Sequence, residues 1–211
     1  MRGVAQGGSK PAQMRNLQGA RVTVYCAGSA KTNPVYLRGA ERLAHAFLNE
    51  GAELVFGGGK TGLMGHLATS IIEGGGTAHG VMPHFLKDIE MNHPLVSDFI
   101  FVDTMSERKQ LLLANTESLI ALPGGCGTLE ELLEAITLKR LGQYLKPIII
   151  VNQEGFYTPQ LEMLEKMIAE DFMRPEHRNL WTVVHDPSEA LKAIQTTPDW
   201  DANALQMAVN N

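Results

Sequence analysis

The stretch Ser118-Leu119-Ile120-Ala121-Leu122-Pro123-Gly124-Gly125-Cys126-Gly127-Thr128-Leu129-Glu130-Glu131 runs from an apolar strand through a glycine-rich turn into a helix. Residues 118–122 form the short continuous apolar run that fills a parallel strand buried on both faces. From Leu129 to Arg140 the spacing becomes helical, with Leu132, Leu133, Ile136 and Leu141 following one face. Strand, tight turn and helix make the βα unit of an α/β fold. The glycines let backbone N–H groups approach an anion with no Cβ in the way. The helix start adds unpaired donors and the positive end of its dipole, worth about 0.3–1 kcal/mol to a nearby negative charge. The run thus predicts an anion cradle with the Glu131 carboxylate beside it. Thr128-x-x-Glu131 reads equally as a capping box, in which both side chains satisfy only the orphan donors of their own helix.

Outward from this unit, strand-like and helix-like patterns alternate from Arg21 onward. The predicted strands are 21–27, 53–57, 77–82, 98–102, 118–122, 147–151 and 181–185, and the predicted helices 34–50, 62–74, 106–116, 128–142, 157–170 and 187–195. This order implies an α/β fold: a Rossmann-like, doubly wound parallel sheet of about seven strands with helices on both faces. Asn33-Pro34 and Asp186-Pro187 are helix starts, and Gly51 and Gly74-Gly75-Gly76 stop the first two helices. Residues 1–19 read as a disordered leader, 20–195 as a single α/β domain and 196–211 as a C-terminal tail. Pro83 to Ser97 is the longest patternless connection and reads as a rim or lid, with His84 and His93 as solvated loop residues.

A chain of 211 residues suits one core, able to bury roughly 70% of its unfolded surface. Its net charge of −5, with no basic run, argues against nucleic-acid or anionic-membrane partners. Two cysteines without CxxC or Cys/His spacing point to no metal site and to a reducing cytoplasm. Residues 1–19 lack the apolar segment of a secretory signal.

Gly57-Gly58-Gly59-Lys60-Thr61-Gly62 matches GxGxxG after a strand and before a helix. It does not complete a dinucleotide fingerprint. The next strand ends in Pro83-His84 rather than an acid, and the loop follows the second strand instead of the first. A Walker A loop is also absent, because Leu54 stands where its leading glycine belongs. Three small-residue turns, Cys26–Ser29, Gly57–Gly59 and Gly124–Gly127, each follow a predicted strand and are instead expected at the same carboxyl edge of the sheet. Their convergence suggests a mononucleotide pocket.

These residues form a larger set. Gly57-Gly58-Gly59-x-x-Gly62-Leu63-Met64-Gly65, Ser106-Glu107-Arg108-Lys109 and Pro123-Gly124-Gly125-x-Gly127-Thr128-x-x-Glu131 occur in order with Asn33-Pro34-Val35-Tyr36, Gly80-Val81-Met82-Pro83 and Leu141-Gly142-x-x-x-Lys146-Pro147. Between Arg21 and Met173 the chain resembles the LONELY GUY (LOG) family of cytokinin riboside 5′-monophosphate phosphoribohydrolases, long described as possible lysine decarboxylases. The resemblance implies hydrolysis of the N-glycosidic bond of a nucleoside 5′-monophosphate, here a cytokinin-type, N6-modified adenosine 5′-monophosphate, to free base and ribose 5-phosphate.

It implies Arg108 and Glu131 as the catalytic pair, Gly124, Gly125, Gly127 and Thr128 around the phosphate, and Gly28, Ser29, Met105 and Lys109 along the nucleotide pocket. Gly58, Gly59 and Pro123 join the substrate-binding set. It also implies no cofactor and no metal, and a homodimer with the site near the subunit interface. A glutamate in the first helical turn favours the ionised form, suited to base or electrostatic work on an oxocarbenium-like sugar. Arg108 cannot release a proton at neutral pH and would stabilise charge.

Ser106, Cys126 and Leu138 stand where the family commonly has His, Tyr and Trp. These departures leave the catalytic pair intact and put the preference for a prenylated over a plain adenine in question. Alternatives are an AMP or general nucleotide phosphoribohydrolase, or a non-catalytic nucleotide or molybdenum-cofactor carrier on the same fold. A carrier needs the glycine turns but not Arg108 and Glu131 together. Decarboxylation needs a pyridoxal phosphate site with a Schiff-base lysine, which the chain does not offer.

Overall fold

The structure, a computed structural model, describes residues 14–87 and 91–201. All seven predicted strands form: β1 (Arg21–Tyr25), β2 (Glu53–Phe56), β3 (Ala78–Pro83), β4 (Asp98–Val102), β5 (Ser118–Ala121), β6 (Ile148–Val151) and β7 (Thr182–Val184). They build one parallel sheet in the order β4-β3-β2-β1-β5-β6-β7. The helices are α1 (Pro34–Glu50), α2 (Gly62–Glu73), α3 (Met105–Leu113), α4 (Cys126–Arg140), α5 (Thr158–Ala169) and α6 (Ala190–Thr196).

The strand order reverses at β1, which pairs with β2 on one side and with β5 on the other. At such a switch point the connections leave in opposite directions and open a crevice beyond the carboxyl ends of the strands. Side chains of the inner strands alternate between two buried layers. Leu54, Ile120 and Ile149 pack with α1, α2 and α6. Val55, Leu119, Ile148 and Ile150 pack with α3, α4 and α5. Asn33 caps α1 through its side chain, with Pro34 in the first turn, and Gly51 ends the helix in the left-handed conformation at φ 64°.

Several expectations need correction. Helix α4 begins at Cys126 with Gly125 as its cap residue and no side-chain cap bond, so the Thr128–Glu131 capping box is not formed. The glycine turn itself delivers the chain into the helix, which leaves Thr128 already inside the first turn. A capping box that the spacing did not single out starts α3: Glu107 N donates to Thr104 Oγ1 at 3.1 Å, and Thr104 N to Glu107 Oε2 at 3.0 Å.

The leader predicted over 1–19 is packed in its last part, since Leu17 is buried and Arg15 Nη2 donates to Asp199 Oδ1 at 2.9 Å. In the predicted tail, Trp200 N donates to the Leu145 carbonyl at 2.7 Å. Residues 1–13 and 202–211 lie outside the described residues. His93 is buried, not solvated. Its Nε2 lies 2.9 Å from Thr69 Oγ1, and burial lowers its pKa. His84 is exposed and stacks on Phe101 with ring centroids 5.5 Å apart.

Candidate active site

At the switch point the turns after β1 and β5 are zipped together. Leu122 N donates to the Tyr25 carbonyl at 2.9 Å and Ala27 N to the Pro123 carbonyl at 3.1 Å. The cavity above them, about 280 Å³, is lined by Gly28, Ser29, Met105, Arg108, Gly125, Gly127, Thr128 and Glu131 among others. These eight predicted residues, scattered over more than a hundred positions, are brought to one cleft.

Five others are not part of its lining. Pro123 and Gly124 lie beneath it: Pro123 holds the Ala27 turn, and a Cβ on Gly124 would stand 2.1 Å from Thr128 Oγ1, so only glycine admits the threonine there. Gly58 and Gly59 turn toward the connection after β3, where the Gly58 carbonyl accepts from His93 N at 2.9 Å and Gly59 bridges Asn92. This second glycine turn supports the first one from behind. Thr61 Oγ1 donates to the Gly28 carbonyl at 2.7 Å, and Met64 N to the Ala27 carbonyl at 3.2 Å. Lys109 points at the exposed face of α4 instead, with Nζ 2.6 Å from Glu130 Oε1 and 2.8 Å from Glu134 Oε2.

Arg108 is a buried side chain of α3. Its Nε donates to the Val81 carbonyl at 3.2 Å and its Nη2 to the Gly57 carbonyl at 3.0 Å, so the ends of β3 and β2 fix the guanidinium plane. The remaining Nη1 faces Glu131 Oε1 at 4.0 Å. Gly57, which the sequence places in one of the converging turns but not among the substrate-binding residues, is required by this contact. A Cβ there would come within 2.2 Å of Arg108 Nη2. Its position at the very end of a strand, before two further glycines, was the available signal.

Because α4 starts at Cys126, Glu131 lies in the second turn, beyond the reach expected of a first-turn dipole effect. Burial dominates and, against the opposing pull of Arg108, raises its pKa from the ordinary 4.5 to about 7. Glu130 and Glu134 push in the same direction as burial and Lys109 in the opposite one. At neutral pH this carboxyl is poised between its two forms and can take or return a proton, which corrects the expectation of a simply ionised group. Cys126, exposed, is the first residue of α4, between the cleft-lining Gly125 and Gly127. Cys26 is buried and its thiol pKa is strongly raised. Among the described residues, no helix is long and apolar enough to cross a membrane.

Comparison with known proteins adds to this geometry. A family model described as "Possible lysine decarboxylase" matches residues 64–194. The chain is 36% identical over 175 residues to the probable cytokinin riboside 5′-monophosphate phosphoribohydrolase LOGL1 of Oryza sativa subsp. japonica, spanning 83% of this chain and 78% of that protein. It is 34% identical over 192 residues to the cytokinin riboside 5′-monophosphate phosphoribohydrolase LOG2 of Arabidopsis thaliana, spanning 90% of each. Among solved structures, the molybdenum cofactor carrier protein of Chlamydomonas reinhardtii matches with a TM-score of 0.64 at 24% identity, over 84% of this chain and 96% of that one. The molybdenum cofactor binding protein of Rippkaea orientalis matches with a TM-score of 0.62 at 20% identity, over 84% and 96%. These two share the fold. On the strength of the family model and its close curated relatives, the chain belongs to the LONELY GUY family.

Proposed function

We propose that the protein is an N-glycosyl hydrolase that cleaves a cytokinin-type, N6-modified adenosine 5′-monophosphate into free base and ribose 5-phosphate. The observation that carries this reading is the buried Arg108–Glu131 pair, 4.0 Å apart, opening onto a cleft whose floor is the start of α4. The 5′-phosphate is received by the backbone of Gly125 and Gly127 and by Thr128, where unpaired helix donors favour an anion. That places the ribose over the pair. Water adds to C1′ as the C1′–N9 bond breaks, the bonding electrons leave with the base, and the base takes up a proton. Glu131 accepts the proton of the water and stabilises the positive sugar, as carboxylates do in glycoside hydrolysis. Arg108, held by two carbonyls, orients the nucleotide and Glu131 without reorganising during the step. The curated relatives named above support the substrate class.

The active protein is a homodimer with the cleft near the subunit interface. In support, an apolar groove of about 610 Å³ lies between α3 and the edge strand β4. Ile100 on β4 and Met105 on α3 are 48% and 37% exposed there and on the adjoining cleft rim. Light scattering should give twice the 23.1 kDa chain mass; a monomer at working concentration would refute the dimer.

The reaction is tested by incubating the protein with AMP and with isopentenyladenosine monophosphate and following free base and ribose 5-phosphate. Turnover distinguishes a hydrolase from a carrier, and the rate ratio assigns the base. Glu131→Gln should cut turnover by about 10²–10⁴-fold. A fully active variant would reduce Glu131 to a structural residue.

A further inference from the structure

Lys109 follows Arg108 on α3, and its ammonium is held between Glu130 and Glu134 at 2.6 and 2.8 Å, with the side chain 17% exposed. The two acids lie one helical turn apart on the same face of α4, and Glu130 also lines the cleft. Consecutive cations on α3 thus meet acids on α4, Arg108 facing Glu131 and Lys109 facing its two neighbours. We infer that Lys109 is a positioning residue for the reaction proposed above, an inference that rests on that reading. It pins α4 to α3 and balances Glu130 and Glu134, so that Glu131 faces Arg108 across the cleft without two uncompensated anions beside it.

The charge arrangement explains why such a residue is needed. Glu131 is faced by Arg108 and Lys109 from α3, by Glu130 and Glu134 from its own helix, and by Tyr25 and Cys26 at the carboxyl end of β1. Tyr25 and Cys26 stay neutral, since burial and the Glu131 carboxylate raise both. The acids therefore outnumber the cations, and loss of Lys109 would leave Arg108 alone against three carboxylates. Around Glu131, whose side chain is 13% exposed, like charges drive the carboxyl toward its protonated form, while solvent partly screens Glu130 and Glu134 at 55% and 38%. Lys109 carries three N–H donors, so a nucleotide phosphate would have to share its ammonium with Glu130 and Glu134.

The test uses full-length protein carrying carboxyl-labelled glutamate, with the Glu131 resonance assigned by its disappearance in Glu131→Gln. Lys109→Met should move the Glu131 titration midpoint upward by on the order of one pH unit, and the acidic limb of kcat/KM should move with it. Adding Glu130→Gln and Glu134→Gln to Lys109→Met should return both toward wild type, and Lys109→Arg, which keeps the two ion pairs, should hold the midpoint in place. An unmoved midpoint with a raised KM that the glutamine variants do not restore would overturn the inference and make Lys109 a nucleotide contact. The titration needs no substrate. Failure of wild-type turnover refutes the proposed reaction, whereas an unmoved midpoint refutes the positioning role.

Discussion

Glu131 takes up its proton at about pH 7 in the folded chain, against an ordinary value of 4.5, chiefly because burial penalises the carboxylate. Between those two values the folded chain holds a proton that the unfolded chain has already released, so stability falls as pH rises through this window. Above pH 7 the whole cost is carried. At about 1.4 kcal/mol per pH unit the interval corresponds to about 3 kcal/mol. Glutamine reproduces the shape and hydrogen bonding of the neutral carboxyl and never ionises. Glu131→Gln should therefore stabilise the protein by about 3 kcal/mol at pH 8 while cutting turnover, and should be close to neutral near pH 4.5. For a chain of this size each kcal/mol moves Tm by roughly 2–4 °C, so the gain at pH 8 is roughly 6–12 °C. Thermal unfolding of both proteins at pH 8 and near pH 4.5 measures it. An equal gain at both pH values, or a loss at pH 8, would refute the reasoning. The first would mean that the gain is not linked to the Glu131 proton, and the second that attraction to Arg108 outweighs desolvation in the ionised state.

The same physics gives other outcomes. Gly57→Ala places a methyl group 2.2 Å from Arg108 Nη2 and should lower kcat/KM by about 10²-fold through displacement of the guanidinium, with circular dichroism unchanged; steady-state kinetics check this. Lys139 is buried at the end of α4, and burial lowers its pKa from 10.5 to about 8. Here the unfolded chain keeps a proton that the folded one has lost, so stability rises with pH from about 8 to 10.5 and the cost is complete below that window. Lys139→Met should raise stability at pH 7 by about 3 kcal/mol, a gain that shrinks toward pH 10.5 in urea titrations. Cys126 is exposed between two glycines of the cleft, while Cys26 is buried. Iodoacetamide should modify Cys126 alone, remove activity, and be slowed by saturating AMP. Full alkylation with retained activity would take the α4 turn out of the phosphate site.

Local spacing was enough to read the strands and the fold class. A run such as Ile148-Ile149-Ile150-Val151 is apolar throughout because both faces of a central parallel strand are buried, and that demand is written residue by residue. The glycine turns were legible for the same reason, since a missing Cβ is a local property. The ordered motifs, through the family that they resemble, also bring Arg108 and Glu131 into one hypothesis.

What depended on the packed molecule was the fate of individual polar groups. Arg108 and Lys109 are neighbours in the chain, yet helical rotation turns one toward the carbonyls of Val81 and Gly57 and the other toward Glu130 and Glu134. Thr128 and Glu131 have the spacing of a cap, but the geometry of the preceding turn starts the helix at Cys126. His93 reads as loop and is buried against α2, where Thr69 and the Gly65 carbonyl receive it. The proton affinity of Glu131 has the same origin. Composition can name a carboxylate, but its charge state depends on the solvent removed around it and on charges arriving from distant segments, and these are set only when α3, α4 and β1 close on one another.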